Sequence, residues 1–367
     1  DKERKNISIN ILSANRNYNL IKKQIIKYKP KYFVISDTII FNKVKKNFKN
    51  KKTKVINNFN SFRLKDKSDI CISAIPGIAG LQPTLSLIKI SKKLLVANKE
   101  SVICGWSLIK KELVKYKTKI IPIDSEHFSI FQLLKNHKLD EIKKIYITAS
   151  GGPFLYLKSK QLKNIKPKDA LKHPKWKMGK KISIDSATLM NKILEIIEAQ
   201  KLFLIPNNKL EIIIHPNSLV HAIIEFKNGL SKFLYHQTSM IIPLANAIFE
   251  GNLNIEKFYK IKNNRNNMIN DLKFQKVNNK IFPIIKIKNR ANEYTSTSII
   301  INAANEILVD QFLQKKIPFL SISKIIMNIL NDRNYIKYAI KKPKNIFQIK
   351  QIDTWARKLT INKLHDV

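Results

Sequence analysis

Residues 7 to 36 run from an apolar ISINIL through a polar SANRN and a basic amphipathic stretch around Leu20 to Tyr28 into a second apolar run, YFVIS. This succession restricts the fold more than any other feature of the chain. Short apolar runs bounded by polar turns read as buried strands, and a helix-length segment between two of them lets the strands lie parallel. DICISAI over 69–75 and LLVANKES over 94–101 repeat the strand-then-loop plan. Both loops are expected at the carboxyl edge of a parallel sheet, where open α/β folds bind ligands.

Glycine usage sharpens the reading. The chain holds 8 glycines in 367 residues, where average usage would give roughly 25, so those that remain are expected to serve the backbone. None precedes Gly77. A dinucleotide-binding half should open on a strand and a G-x-G-x-x-G turn, so we expect a further segment of roughly twenty residues upstream of Asp1, enough for one strand and the head of a helix. Arg16, just past the first strand, stands where such folds place a cation for the extra phosphate of NADP.

The stretch HPKWKMGKKISIDSATLMNKILEIIEAQ, 173–200, joins a basic aromatic loop to an amphipathic run. Ser186 is expected as an N-cap, with a helix from about Ala187 that buries Leu189, Met190, Ile193, Leu194 and Ile197. Asn191, Lys192 and Glu195 then share the other face at i, i+3 and i+4 spacing, either as a solvated Lys–Glu pair or as a converging amide, ammonium and carboxylate. His173, Trp176, Met178 and Gly179 in the preceding loop suggest a lid, because an exposed indole is costly unless it closes over something. In PIDSEHF, an extended backbone would point Asp124 and Glu126 the same way. With Glu195 they form an oxygen-rich set suited to Mg²⁺ or Mn²⁺. ASGGPF ends a strand in a turn whose N–H groups and Ser150 hydroxyl could hold a phosphate. His215, Ser218 and His221 receive no catalytic role.

From 252 to 280 the sequence is polar and Asn-rich, and reads as a connection. Beyond it, 298–314, 321–331 and 345–359 show helical spacing, with a shorter helix before Arg290, which predicts a small antiparallel bundle. Asn302, Asn305 and Glu306 are expected at the start of one of its helices. The net charge of +43 is spread along the whole chain, and with no nucleic-acid module in sight it argues for compositional bias over a nucleic-acid-binding face. No apolar run of about 18 residues and no apolar leader is found, so neither a membrane span nor a secretory signal is expected. Two cysteines, Cys71 and Cys104, cannot make a disulfide framework.

SANRN, AIPGIAGLQPTL, ANKES, PIDSEH, ASGGPF, the stretch 173–199, IHPNSLVH and NAANE stand in this order along nearly the whole chain. In them the chain resembles the 1-deoxy-D-xylulose 5-phosphate reductoisomerases, enzymes that make 2-C-methyl-D-erythritol 4-phosphate for isoprenoid synthesis by the non-mevalonate pathway. The resemblance implies an α/β fold with a Rossmann-like NADPH-binding domain over 1–122, a central α/β catalytic domain with a lid over 123–251, a linker over 252–280 and a C-terminal four-helix bundle over 281–367. It implies a homodimer, in a bacterial cytoplasm or a plastid stroma, that takes a small phosphorylated sugar and engages neither nucleic acid nor membrane. By motif position, Asp124, Glu126 and Glu195 hold a divalent metal, Mg or Mn. Lys99 and these three carry catalysis. Lys99, Ser125, Glu126, Ser150, His173, Ser186, Asn191, Lys192 and Glu195 bind substrate, and Trp176 caps it. Asn15, Arg16, Asn17, Asn98, Glu100 and Gly179 line NADPH. Two departures stand out. The family's opening GSTGSIG turn has no counterpart, which leaves open a metal- and sugar-phosphate-binding protein without redox activity. In YHQTSMIIPLA, His236, Thr238, Ser239 and Ile241 replace the family's usual Gly, Pro-Asp and Arg.

Overall fold

A computed structural model describes residues 7–49, 52–60, 62, 67–173, 178–255 and 272–366. The strand–helix–strand alternation of the N-terminal third builds two parallel three-stranded sheets. In the first, β1 (Ile11–Ala14), β2 (Tyr32–Ile35) and β3 (Lys54–Ile56) are crossed by α1 (Tyr18–Tyr28) and α2 (Thr38–Asn47). Ile21, Ile25, Phe33, Ile35 and Val44 form its core. The second has β5 (Ser91–Val96) between β4 (Ser68–Ser73) and β6 (Lys119–Pro122), with α3 (Leu81–Lys89) and α4 (Lys99–Tyr116) as crossovers. All six strands therefore end on the same kind of edge, the carboxyl edge that presents loops and helix starts to a ligand.

After α5 (Ser125–Leu133) the chain enters a central sheet. β7 (Ile142–Ala149) leads through the short α6 (Pro167–Ala170), then α7 (Lys180–Thr188) and α8 (Met190–Phe203), to β8 (Leu210–Ile214), β9 (Val220–Phe226), β10 (Ser231–Tyr235) and α9 (Ile241–Phe249). β11 (Gln275–Lys276) completes the order β10-β9-β7-β8-β11, in which β7 and β8 are parallel and the other pairs antiparallel. The polar segment 252–280 is thus more than a connection, since its described end adds a strand to this sheet. α8 packs against α4 and its apolar residues Ile193, Leu194, Ile196 and Ile197 are wholly buried.

The C-terminal part holds α10 (Thr297–Leu313), α11 (Phe319–Leu330), α12 (Tyr335–Ala339) and α13 (Ile346–Asn362). The short helix expected before Arg290 is a 3-10 segment, Pro283–Ile287. Asn302, Asn305 and Glu306 lie inside α10 and not at its start, because the helix already begins at Thr297; both asparagines are fully buried.

One turn ties the second sheet to α4. Asn98 caps α4 by accepting from the Ser101 N–H and donates to the carbonyls of Ile75 and Gly77. A Cβ on Gly80 would collide with the Ile75 carbonyl oxygen and the Asn98 amide, neither of them a flexible side-chain tip. Gly80→Ala should therefore cost about 1–3 kcal/mol, read as a lower urea midpoint with an unchanged slope; a midpoint equal to the parent's would mean the turn has slack.

Candidate active site

Three helix starts deliver the charged side chains. β5 ends at Val96, and Lys99 is the first residue of α4. β6 ends at Pro122, and Asp124 caps α5 by accepting from the Glu126 N–H at 3.2 Å. Asp124 and Glu126 are therefore not two residues of an extended strand, as the alternation suggests; they flank the first turn of a helix, and cap geometry brings their carboxylates together. Glu195 comes from α8, where Asn191 and Lys192 precede it by four and three residues on the same face.

Single oxygens of Asp124, Glu126 and Glu195 all lie within 4.8 Å of one another. Two ammonium groups intervene. Lys99 Nζ is 3.3 Å from Asp124 Oδ2, 3.2 Å from Glu195 Oε1 and 2.8 Å from Asn191 Oδ1. Lys192 Nζ is 2.8 Å from Glu195 Oε2 and pairs with Glu126. The solvated-pair reading of α8 is excluded, because the side chains of Lys192 and Glu195 are only 8% and 1% exposed.

Burial pushes each carboxyl toward its neutral form, and the neighbouring cations decide the outcome. Burial of Asp124 is outweighed by Lys99, His127 and Lys192, which hold it well below the usual aspartate range. Lys192 does the same, less strongly, for Glu126. In Glu195 burial wins and the carboxyl is raised. Lys99 and Lys192 are raised despite their own burial, Lys99 chiefly by Asp124 and Glu195, Lys192 by Glu126 and Glu195. A set of three carboxylates and two ammoniums, buried or half-buried, is poised to take a hard cation or the oxygens of a charged substrate.

A second group lies beside it. Ser150 ends the strand β7 and its Oγ is 3.1 Å from His173 Nε2 and 3.1 Å from the Gly152 N–H that donates to it. Gly152, at φ +60°, passes so close to the Ser186 carbonyl that a Cβ would lie 3.1 Å from that oxygen. Ser150, His173 and Ser186 are thus gathered where the turn meets α7. Ser186 is not an N-cap, however. It sits in the last turn of α7, Leu189 in left-handed conformation (φ 63°) ends that helix, and Thr188 Oγ1 accepts from Met190 N at 3.2 Å to start α8. The chain runs two helices where periodicity alone suggests one. Trp176 lies outside the described residues, as does the rest of 174–177, so the lid falls largely outside them as well.

At the first sheet's carboxyl edge, Asn15 accepts from Ser36 Oγ at 3.2 Å, Asn17 caps α1, and Arg16, with its side chain 80% exposed, pairs with Asp37 at 3.0 Å. Glu100 pairs with Lys181 at 3.2 Å, two residues after Gly179, which stands at the N-cap of α7. Lys181 also holds Asp185 at 2.9 Å, which in turn accepts from Asn305 at 2.7 Å. His215 donates to the Lys273 carbonyl and His221 stacks on His236 at 3.8 Å, both in supporting positions. Sequence reasoning missed His127, Glu198 and Lys181. His127 is three residues from Asp124 and Glu198 three from Glu195, so helical spacing carried a signal for both.

A parallel-sheet half whose carboxyl edge faces a buried carboxylate–lysine cradle defines an α/β enzyme that pairs a nucleotide-type domain with a site for a hard metal. Family models agree in particulars. That for 1-deoxy-D-xylulose 5-phosphate reductoisomerase matches residues 1–105, that for its C-terminal domain matches 120–203, and a further DXP reductoisomerase C-terminal domain matches 236–359. The 1-deoxy-D-xylulose 5-phosphate reductoisomerase of Pelagibacter ubique is 48% identical over 359 residues, covering 96% of this chain and 92% of the relative. That of Wolbachia pipientis from Culex pipiens is 39% identical, covering 92% and 86%. Among solved structures, the Zymomonas mobilis enzyme in complex with NADPH superposes with a TM-score of 0.87 at 29% identity, over 100% of this chain and 94% of that one. A DOX-P reductoisomerase with NADPH, fosmidomycin and magnesium gives 0.86 at 30% identity, over 98% and 92%. The chain belongs to the 1-deoxy-D-xylulose 5-phosphate reductoisomerase family.

His173 supplies a direct check on the site's electrostatics. Burial, helped by the Lys192 charge, pushes its imidazole down from 6.5 to about 4. Between those two values the unfolded chain binds a proton that the folded chain does not, so this group's contribution to stability falls as pH drops through the window. Imidazole NMR should give a His173 midpoint near 4; a midpoint near the ordinary histidine value would mean that neither burial nor the Lys192 charge acts on the ring.

Proposed function

We propose that this chain catalyses the NADPH-dependent rearrangement and reduction of 1-deoxy-D-xylulose 5-phosphate to 2-C-methyl-D-erythritol 4-phosphate, with Mg²⁺ or Mn²⁺, in isoprenoid biosynthesis. Family membership makes it an oxidoreductase and isomerase. The observation that carries the residue assignment is the convergence of Asp124, Glu126 and Glu195 within 4.8 Å. A donor set of carboxylate oxygens alone fits a hard divalent cation better than zinc. Bound there, the cation would stabilise oxyanion charge at the substrate carbonyl and neighbouring hydroxyl while a carbon–carbon bond is broken and remade, and NADPH would supply the hydride that reduces the resulting aldehyde.

The chain's own groups do the rest. Lys99 and Lys192 balance the carboxylates and, with Ser125 and Asn191, orient the substrate between them. Ser150, His173 and Ser186 take the phosphate end, with Asn191 and Lys192 facing it from α8. A neutral His173 can donate one hydrogen bond there without adding charge. Asn15, Arg16, Asn17, Asn98, Glu100 and Gly179 line the cofactor, and Trp176 closes over the substrate. Gripping a phosphate remote from the reacting carbons provides binding energy for closure and water exclusion. The divisions at 122 and 251 and the start of the helical part beyond 280 are supported by the separate parallel sheets, the mixed central sheet and the C-terminal helices, with β11 joining the end of 252–280 to the central sheet. A homodimer is supported by apolar residues left exposed on the β10 edge and the adjoining helix, Leu230, Phe233, Met240 and Ile241. A cytoplasmic location is in keeping with the bacterial sources of the relatives. Among the described residues, no helix is long and apolar enough to cross a membrane.

Asp124→Asn should abolish metal-dependent turnover while leaving NADPH binding in place, measured by hydride consumption and cofactor fluorescence; turnover at the parental rate would remove Asp124 from the metal site. Arg16→Gln should weaken NADPH by about 1.5–3 kcal/mol and leave NADH nearly untouched, because only the 2′-phosphate offers it a charge-assisted contact. Equal weakening of both cofactors would assign Arg16 to its ion pair with Asp37.

A further inference from the structure

We propose that Glu198, acting through His127, is a positioning residue that fixes the metal-facing carboxylates. The proposal rests on reading Asp124, Glu126 and Glu195 as metal ligands. His127 lies in the first turn of α5 and is wholly buried. Its Nδ1 is 3.1 Å from Asp124 Oδ1 and 3.5 Å from Glu198 Oε2, and its Nε2 is 3.0 Å from the backbone carbonyl of Glu195. The carbonyl can only accept, so Nε2 donates to it, while Nδ1 faces two carboxyl groups. The ring thereby ties the Asp124 carboxylate on one helix to the Glu195 backbone on another.

Oxygen by oxygen, this decides which atoms are free. Asp124 Oδ1 is occupied by His127 and by the Glu126 N–H at 3.2 Å. Oδ2, opposite Lys99 at 3.3 Å, is the oxygen turned into the cradle. Without a carboxylate behind it, the Nδ1 side of the ring would face Asp124 as its one acidic neighbour, and nothing would oppose a shift of the ring and Asp124 toward each other. Glu198 supplies that carboxylate. It lies one turn along α8 from Glu195 and is 1% exposed, and its Oε2 makes no hydrogen bond within ordinary distance. A buried carboxylate so placed is a poor device for stability alone. Phe203, at the end of α8, stacks over the His127 ring at 6.3 Å and 17°, which restricts the ring's tilt. Partners behind metal ligands that hold their orientation are worth about 10–100-fold in metal affinity.

The test is Mn²⁺ binding to the purified full chain without NADPH or substrate, followed by the electron paramagnetic resonance of free Mn²⁺. The parent should bind and Glu195→Gln should not; if that pair fails, the ligand reading falls and this proposal with it. Given that control, Glu198→Gln should raise the Mn²⁺ dissociation constant about 10–100-fold, His127→Gln should match it, and Glu198→Asp should recover part of the loss. NADPH affinity and the thermal midpoint should stay at the parent's values. In turnover, the Mg²⁺ concentration for half-activation should rise, with kcat recovered at saturating metal. An unchanged Mn²⁺ dissociation constant in folded Glu198→Gln would overturn the proposal. So would parallel loss of Mn²⁺ binding, NADPH binding and thermal midpoint in both Glu198 variants, since that pattern marks support of the fold.

Discussion

The structure depends on one costly interaction, the burial of Glu195, Lys99 and Lys192 against the half-buried Asp124 and Glu126. Ions lose several kcal/mol each on leaving water, and mutual attraction offsets that only when geometry and hydrogen bonds are good. Here three negative groups face two positive ones from three different helices, so no single element could carry the arrangement alone. The charge left over is negative, which is the sign a divalent cation needs. Such a cluster contributes little to stability and much to specificity of position, and the surrounding apolar packing of α4, α8 and the central sheet has to hold it in place.

The scaffold meets that demand by ending parallel strands next to helix starts. β5 and β6 are neighbours in one sheet, so the helices that follow them place Lys99 and Asp124 side by side at its carboxyl edge. α8 then crosses α4 and presents Glu195 from the opposite side. The C-terminal helices brace the same junction from behind. Asn305 of α10 holds Asp185, Asp185 holds Lys181, and Lys181 reaches Glu100 beside Lys99. Glu306 is held by Arg357 of α13 and stands close to Gly77 in the turn after β4. The helical part is therefore wired both to the loops at the carboxyl edge of the second sheet and to the helix that follows the 174–177 segment.

Strands and long helices were legible because apolar periodicity is local: ISINIL, YFVIS and the 298–314 pattern need no knowledge of their partners. What was not legible depended on caps and left-handed residues. Nothing in the periodicity of 180–203 reveals that Leu189 turns left-handed and splits the run into α7 and α8. The Asp124–Glu126 neighbourhood was read from strand alternation but arises from an N-cap, since D-S-E after a strand satisfies both patterns. Lys192 and Glu195 illustrate a different limit. Their i, i+3 spacing is the same on a solvated helix as on a buried one, and only the packing of α4 and α5 against α8 distinguishes the two. Asn302 and Asn305 are expected at a helix start for the equivalent reason, while inside α10 Asn302 donates to Glu306 four residues on and Asn305 to Asp185, 120 residues away.

The divergent segment 236–241 shows how the site tolerates drift at its border. The imidazole of His236, where the family usually has a glycine, does not project into solvent; it lies on His221 at 3.8 Å and 16° and donates from Nδ1 to the Gln237 carbonyl at 2.8 Å. Burial pushes both rings below the ordinary histidine range, His221 to about 4, so the stack is neutral at physiological pH and adds no charge beside Glu126. Ser239 Oγ accepts from the Ile241 N–H at 3.3 Å, satisfying a donor at the start of α9 much as the family's aspartate could. Here Ser239 and Ile241 stand where the family usually has an acidic and a basic residue, so one charge of each sign is absent together and the balance of charge beside the carboxylates is left as it was.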